Sequence, residues 1–154
     1  MIWQELDKDL VFTDLEAKDY KEVMEKLGGR FVELGYCKDT YVDALKKRES
    51  EFPTGLDIEG FGVAMPHTDI SHVIKHGIAI AHLSEPVDFI QMGTDDEIAK
   101  VKLVFMLAVD DPNAHLDKIQ DILKIIQDKE VLVKLSETKD ADEMIKIIKE
   151  KENY

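Results

Sequence analysis

The run 101–109, VKLVFMLAV, constrains this chain most, because a single lysine interrupts an otherwise apolar and partly β-branched stretch. Consecutive apolar residues leave no face for water, so such a segment is covered on both sides, and its β-branched content favours a strand over a helix. It predicts the central strand of a sheet. Residues 62–65 and 77–83 are further apolar runs of strand type, and 10–13 (LVFT) is a shorter one. The turn-rich connection after 83 has room for a short extra strand at 87–91.

Between the first strand and the others the apolar period changes to that of a helix. Tyr20, Val23, Met24, Leu27, Phe31 and Leu34 recur at helical spacing, with Gly35 as a C-terminal stop. Gly28 and Gly29 fall inside that pattern at about 1 kcal/mol each relative to alanine, which predicts a bent or closely packed helix there. Thr40 reads as the N-cap of a second helix carrying Val42, Leu45 and the basic run Lys46, Lys47 and Arg48, and Pro53 forces the chain out into a loop at 53–55. Asp111 followed by Pro112 has the chemistry of a helix start, continued by Leu116, Ile119, Leu123 and Ile126. Residues 131–135 and 144–148 are two more amphipathic segments. The order is strand, two helices, three strands, three helices, which predicts a small sheet with helices on its faces.

The chain has 154 residues, 44% of them hydrophobic, with no low-complexity tract or linker, which predicts one domain over 1–154. No stretch approaches the roughly 18 apolar residues of a membrane span, and the N-terminus MIWQELDKDL lacks the layout of a secretory signal. With the single cysteine Cys37, this points to the cytoplasm. A net charge of −13 would repel a nucleic-acid backbone, so nucleic acid is not an expected partner. The same charge serves solubility, and it could also steer the chain towards a basic patch on another protein.

Four of the five histidines, His67, His72, His76 and His82, lie in one window, and His115 stands at the start of the third predicted helix. His72 and His76 could share a helical face as metal ligands, but no HExxH motif or third ligand accompanies them. His67 differs in following Pro66 directly at the end of an apolar run. Proline fixes its own φ, and a histidine leaving a strand on a rigid loop is placed to face a partner. On the residues alone it reads equally as that or as a half-exposed loop histidine. Neutral imidazole is a nucleophile near neutral pH and can carry a phosphoryl group without a metal. Transfer needs donors for the equatorial oxygens, and Arg48, His115 and the third helix's N-terminus are the candidates. No phosphate-binding glycine loop or kinase motif is present, so any phosphoryl group has to come from another protein.

GVAMPHTD at 62–69 resembles the active-site loop of the fructose/mannitol-type enzyme IIA components of the bacterial phosphoenolpyruvate-dependent sugar phosphotransferase system. KRESEFPTGL at 47–56 resembles their upstream element, and EFPTG is similar to the galactitol-specific branch. The resemblance spans nearly the whole chain. It implies an α/β fold, a three-layer α/β/α sandwich around a mixed sheet in the order β-α2-β3-α3. It also implies that His67 accepts a phosphoryl group from phospho-HPr and passes it to a cysteine of the cognate IIB component, with a IIC component in the membrane. Arg48 matches the arginine of the family's Arg-Glu element, which helps hold the group, and His115 a second active-site histidine. No cofactor or metal is expected. The sugar would be galactitol or another polyol; a regulatory IIA-like domain that signals through His67 is the alternative.

Overall fold

The structure, a computed structural model, describes residues 1–153. Its five strands are β1 (Leu6–Leu15), β2 (Gly55–Ile58), β3 (Phe61–Ala64), β4 (Gly77–Ile90) and β5 (Ile98–Ala108), side by side in the order β1-β4-β5-β3-β2. The sheet is mixed: β1 and β4 run parallel, β4 and β5 antiparallel, β5 and β3 parallel, β3 and β2 antiparallel. β5, which contains most of the 101–109 run, is the middle strand. Its side chains alternate between two cores. Val104, Met106 and Ala108 join the cluster that includes Leu27, Phe31 and Leu45, whereas Leu103, Phe105 and Leu107 join the one that includes Ile122, Leu132 and Ile148. Helices therefore cover both faces.

On the first face α1 (Tyr20–Val23) continues through a π-helical turn, Met24–Gly28, into α2 (Gly29–Glu33), followed by α3 (Tyr41–Glu51). The widened turn lies at the paired glycines, where a Cβ on Gly28 would come 2.9 Å from Leu45 Cδ1 of α3. Gly35 ends the segment at φ +82°. On the second face are α4 (Pro112–Ile126), α5 (Lys129–Glu137) and α6 (Ala141–Glu152). Each begins on an aspartate, Asp111, Asp128 or Asp140, whose carboxylate accepts from a first-turn N–H.

Four details differ from the expectations. A hairpin strand, β2, begins at Gly55, the last residue of the expected loop at 53–55, and runs on through residues for which no element was expected; the strands after α3 thus number four rather than three. The segment 87–91 is no separate strand, since 87–90 is the far half of β4 beyond an irregularity between His82 and Val87 that includes Pro86, which cannot donate to the ladder. β1 extends to both sides of 10–13. Thr40 does not cap α3: its backbone is already helical at φ −80°, ψ −9°, and its Oγ1 instead hydrogen-bonds His72 Nδ1 at 2.8 Å. Among the described residues no helix is long and apolar enough to cross a membrane.

Candidate functional site

His67 stands just past the exit of β3, whose sequence admits little variation. Gly62 is obligatory, because a Cβ there would collide with the Lys100 carbonyl oxygen of β5. Beyond Ala64, Met65 is buried, and the Pro66 carbonyl accepts from Leu107 N at 3.0 Å, which ties the loop to the end of the central strand. The Leu107 carbonyl in turn accepts from the hydroxyl of Tyr41 in α3 at 2.7 Å. The loop carrying His67 is thus tied through Pro66 to the central strand and, through Leu107, to α3.

The ring of His67 is oriented by its own backbone. Nδ1 lies 2.9 Å from the Met65 carbonyl oxygen, and because a carbonyl can only accept, Nδ1 carries the proton. In the neutral ring the lone pair is then on Nε2. Burial pushes the His67 imidazolium below the usual range, and the nearby His115 and Arg48 add to this against the opposing pull of the Met65 carbonyl. The neutral, nucleophilic form therefore persists to lower pH than in an exposed histidine.

Arg48 and His115 come to the same place from different elements. Arg48 is in the last turn of α3, its guanidinium carbon 4.5 Å from the centroid of the exposed Phe52 ring, a cation–π contact that steadies a long side chain. His115 is in the first turns of α4, and its ring centroid is 4.7 Å from that of His67 with the planes tilted by 60°. It too is held below the usual histidine range, first by burial and then by Arg48. Together with Thr68, Asp69, Ile70 and Pro112 these three line one open cavity of about 310 Å³. A cationic fork, a neutral imidazole and a helix N-terminus around a nucleophilic nitrogen can bind a tetrahedral dianion.

The other histidines are elsewhere. His72 bonds Thr40, His82 bonds the Thr13 carbonyl of β1 at 3.0 Å, and His76 lies 3.4 Å from Glu5. His72 and His76 do not share a helical face, since the 3-10 turn Ile70–His72 ends between them. Among the described residues no three histidine, cysteine or acidic side chains are placed to hold a metal. Cys37 is buried, which pushes its thiol up to about 12 and leaves it unreactive.

The family model for the phosphoenolpyruvate-dependent sugar phosphotransferase system, EIIA 2, matches residues 4–151. The chain belongs to that family. A galactitol-specific EIIA component of Escherichia coli K12 is 32% identical over 123 residues, covering 78% of this chain and 81% of that protein. A mannitol-specific EIICBA component of Pasteurella multocida is 32% identical over 147 residues, 94% of this chain, which spans only 22% of that longer protein. Among solved structures, the complex of the mannitol enzyme IIA with phosphorylated enzyme IIB from Escherichia coli contains a chain similar to this one. It superposes with a TM-score of 0.76 at 26% identity, covering 93% of this chain and 96% of that one. The α/β fold of this EIIA chain, a mixed sheet with helices on both faces, is the family's.

Beside the site are Glu49 and Thr54, which both fall in the segment KRESEFPTGL at 47–56 but are given no role of their own by the sequence. Both are buried, at 6% and 4% exposure, and they stand between Arg48 and the strand that leads to His67. The available signal was a glutamate next to the arginine in a helix otherwise rich in exposed charge.

Proposed function

We propose that this EIIA chain is a phosphocarrier in which His67 Nε2 takes a phosphoryl group from phospho-HPr and passes it to a cysteine of a cognate IIB component. The observation that carries this reading is the Nδ1–H bond from His67 to Met65, which leaves Nε2 as the free nucleophile in a cavity shared with Arg48 and His115. In the first step the Nε2 lone pair forms the new P–N bond as the donor's P–N bond breaks, its electron pair returning to the donor's ring nitrogen. In the second the IIB thiolate attacks phosphorus and the pair of the P–Nε2 bond returns to His67. Arg48 and His115 donate to the equatorial oxygens in both directions, so the site stabilises the transferring group without trapping it.

The galactitol-specific and mannitol-specific relatives support a polyol as the transported sugar, chosen by a IIC component in the membrane rather than by this chain, which acts from the cytoplasm. The test of the nitrogen is direct. After phosphorylation by phosphoenolpyruvate, enzyme I and HPr, protein with 15N-labelled histidine should show the one-bond phosphorus–nitrogen coupling at Nε2 of His67. Coupling at Nδ1, or on another histidine, would overturn the assignment.

A further inference from the structure

A buried carboxylate is costly unless it is fully hydrogen-bonded, and among the described residues Glu49 forms no ion pair. What it has is Thr54. Glu49 Oε2 accepts from Thr54 N at 2.7 Å and Oε1 from Thr54 Oγ1 at 2.8 Å. The Thr54 hydroxyl oxygen then accepts from Met65 N at 3.3 Å, and the carbonyl of that same Met65 accepts from His67 Nδ1 at 2.9 Å. The links run unbroken from α3 to the imidazole.

The position of the chain explains why side chains do this work. The β2–β3 ladder pairs Gly55 with Ala64. One step further the opposing residues are Thr54 and Met65, but Thr54 follows Pro53 at the point where the chain leaves α3, and there a hydroxyl takes the Met65 N–H. The hydroxyl's own proton goes to Glu49, so Glu49 fixes which way Thr54 faces.

We infer that Glu49 and Thr54 are positioning residues for phosphoryl transfer, holding Met65 so that His67 keeps its proton on Nδ1 and its lone pair on Nε2. Glu49 adjoins Arg48 on α3, so the same link sets the spacing between the phosphoryl-binding guanidinium and the nucleophile. This inference rests on the carrier reading above for its meaning, but its primary readout, the tautomer of a ring, does not need transfer to occur.

The experiment is long-range 1H–15N correlation of the histidine rings in wild type, T54V, T54S and E49Q, with phosphorylation rates from phospho-HPr measured alongside. Valine removes the hydroxyl and should move His67 from a single Nδ1–H tautomer to a mixture, and should slow phosphorylation on the order of tenfold to a hundredfold, the scale of a small misplacement of reacting groups. Serine should restore both, and E49Q should fall between. His82, whose Nδ1 also bonds a carbonyl, that of Thr13, is the internal control and should keep its tautomer in every variant. An unchanged His67 tautomer in T54V would overturn the inference, and so would a change at His82 equal to that at His67, which would mark general loosening. Failure of wild type to accept phosphate would instead sink the carrier reading.

Discussion

The imidazoles of His67 and His115 lie 4.7 Å apart, centroid to centroid, and meet at 60° rather than stacking. One comes from the exit of β3 and the other from the start of α4, so the pair exists only when α4 is packed on the sheet. A tilted pair can direct two ring nitrogens at one group, one as nucleophile and one as donor.

Removing the donor should weaken transfer without ending it. For H115A the phosphorylation rate is expected to fall about tenfold to a hundredfold, the range of one lost transition-state hydrogen bond, because Nε2 of His67 and the Arg48 guanidinium remain. Stopped-flow measurement with phospho-HPr checks it. A rate equal to wild type would show that His115 only lines the cavity.

Arg48 should matter more, and lysine should not replace it. A guanidinium offers a planar fork that an ammonium lacks, so R48Q and R48K are both expected to lose on the order of a hundredfold in transfer rate, with folding intact because the side chain stacks on exposed Phe52. Near-wild-type transfer in R48K would reduce its role to charge alone.

The pH dependence follows from the lowered His67 and His115 midpoints. Both rings are held neutral mainly by burial, so transfer should persist as pH falls through about 6.5, the usual histidine value, and decline only below it. Stability has the same sign. In that acidic window the unfolded chain binds protons that the folded chain refuses, so stability drops as pH falls towards the folded midpoints. H67Q should flatten part of that drop, as thermal melts between neutral and mildly acid pH would record. R48Q should raise the His67 midpoint towards, but not to, the usual value, since burial is the larger cause.

Two glycines should respond in opposite ways. G62A places a Cβ against the Lys100 backbone and is expected to prevent soluble folding, because neither strand can yield without losing the ladder. G29A meets nothing within 4 Å in a helical backbone. It should stabilise by about 0.5–1 kcal/mol, raising Tm by about 1–4 °C on the scale expected for a chain of this size.

The parts of this fold that could be read in the sequence are those that rest on local pattern. The centrality of β5 followed from two-sided apolarity, and the start of α4 from Asp111 and Pro112. The site's three side chains could be named, but their meeting could not be read, since it depends on how β3, α3 and α4 are stacked. β2 was missed because Pro53, Thr54 and Gly55 carry turn chemistry, and the strand they lead into, Gly55–Ile58, is short and held by pairing with β3 rather than by propensity. Thr40 had the right residue type for a cap but found a better partner in His72, a contact made by tertiary structure. The Glu49–Thr54 link was hidden for the same reason: the 47–56 segment contains both residues, but their contact is made only by tertiary structure.

The most direct test of His67 as the relay is intact mass after incubation with phosphoenolpyruvate, enzyme I and HPr, with H67A in parallel. One acid-labile, alkali-stable phosphoryl group on wild type and none on H67A is the expected result. A phosphorylated H67A, or a wild type that stays unmodified beside active enzyme I and HPr, would contradict it.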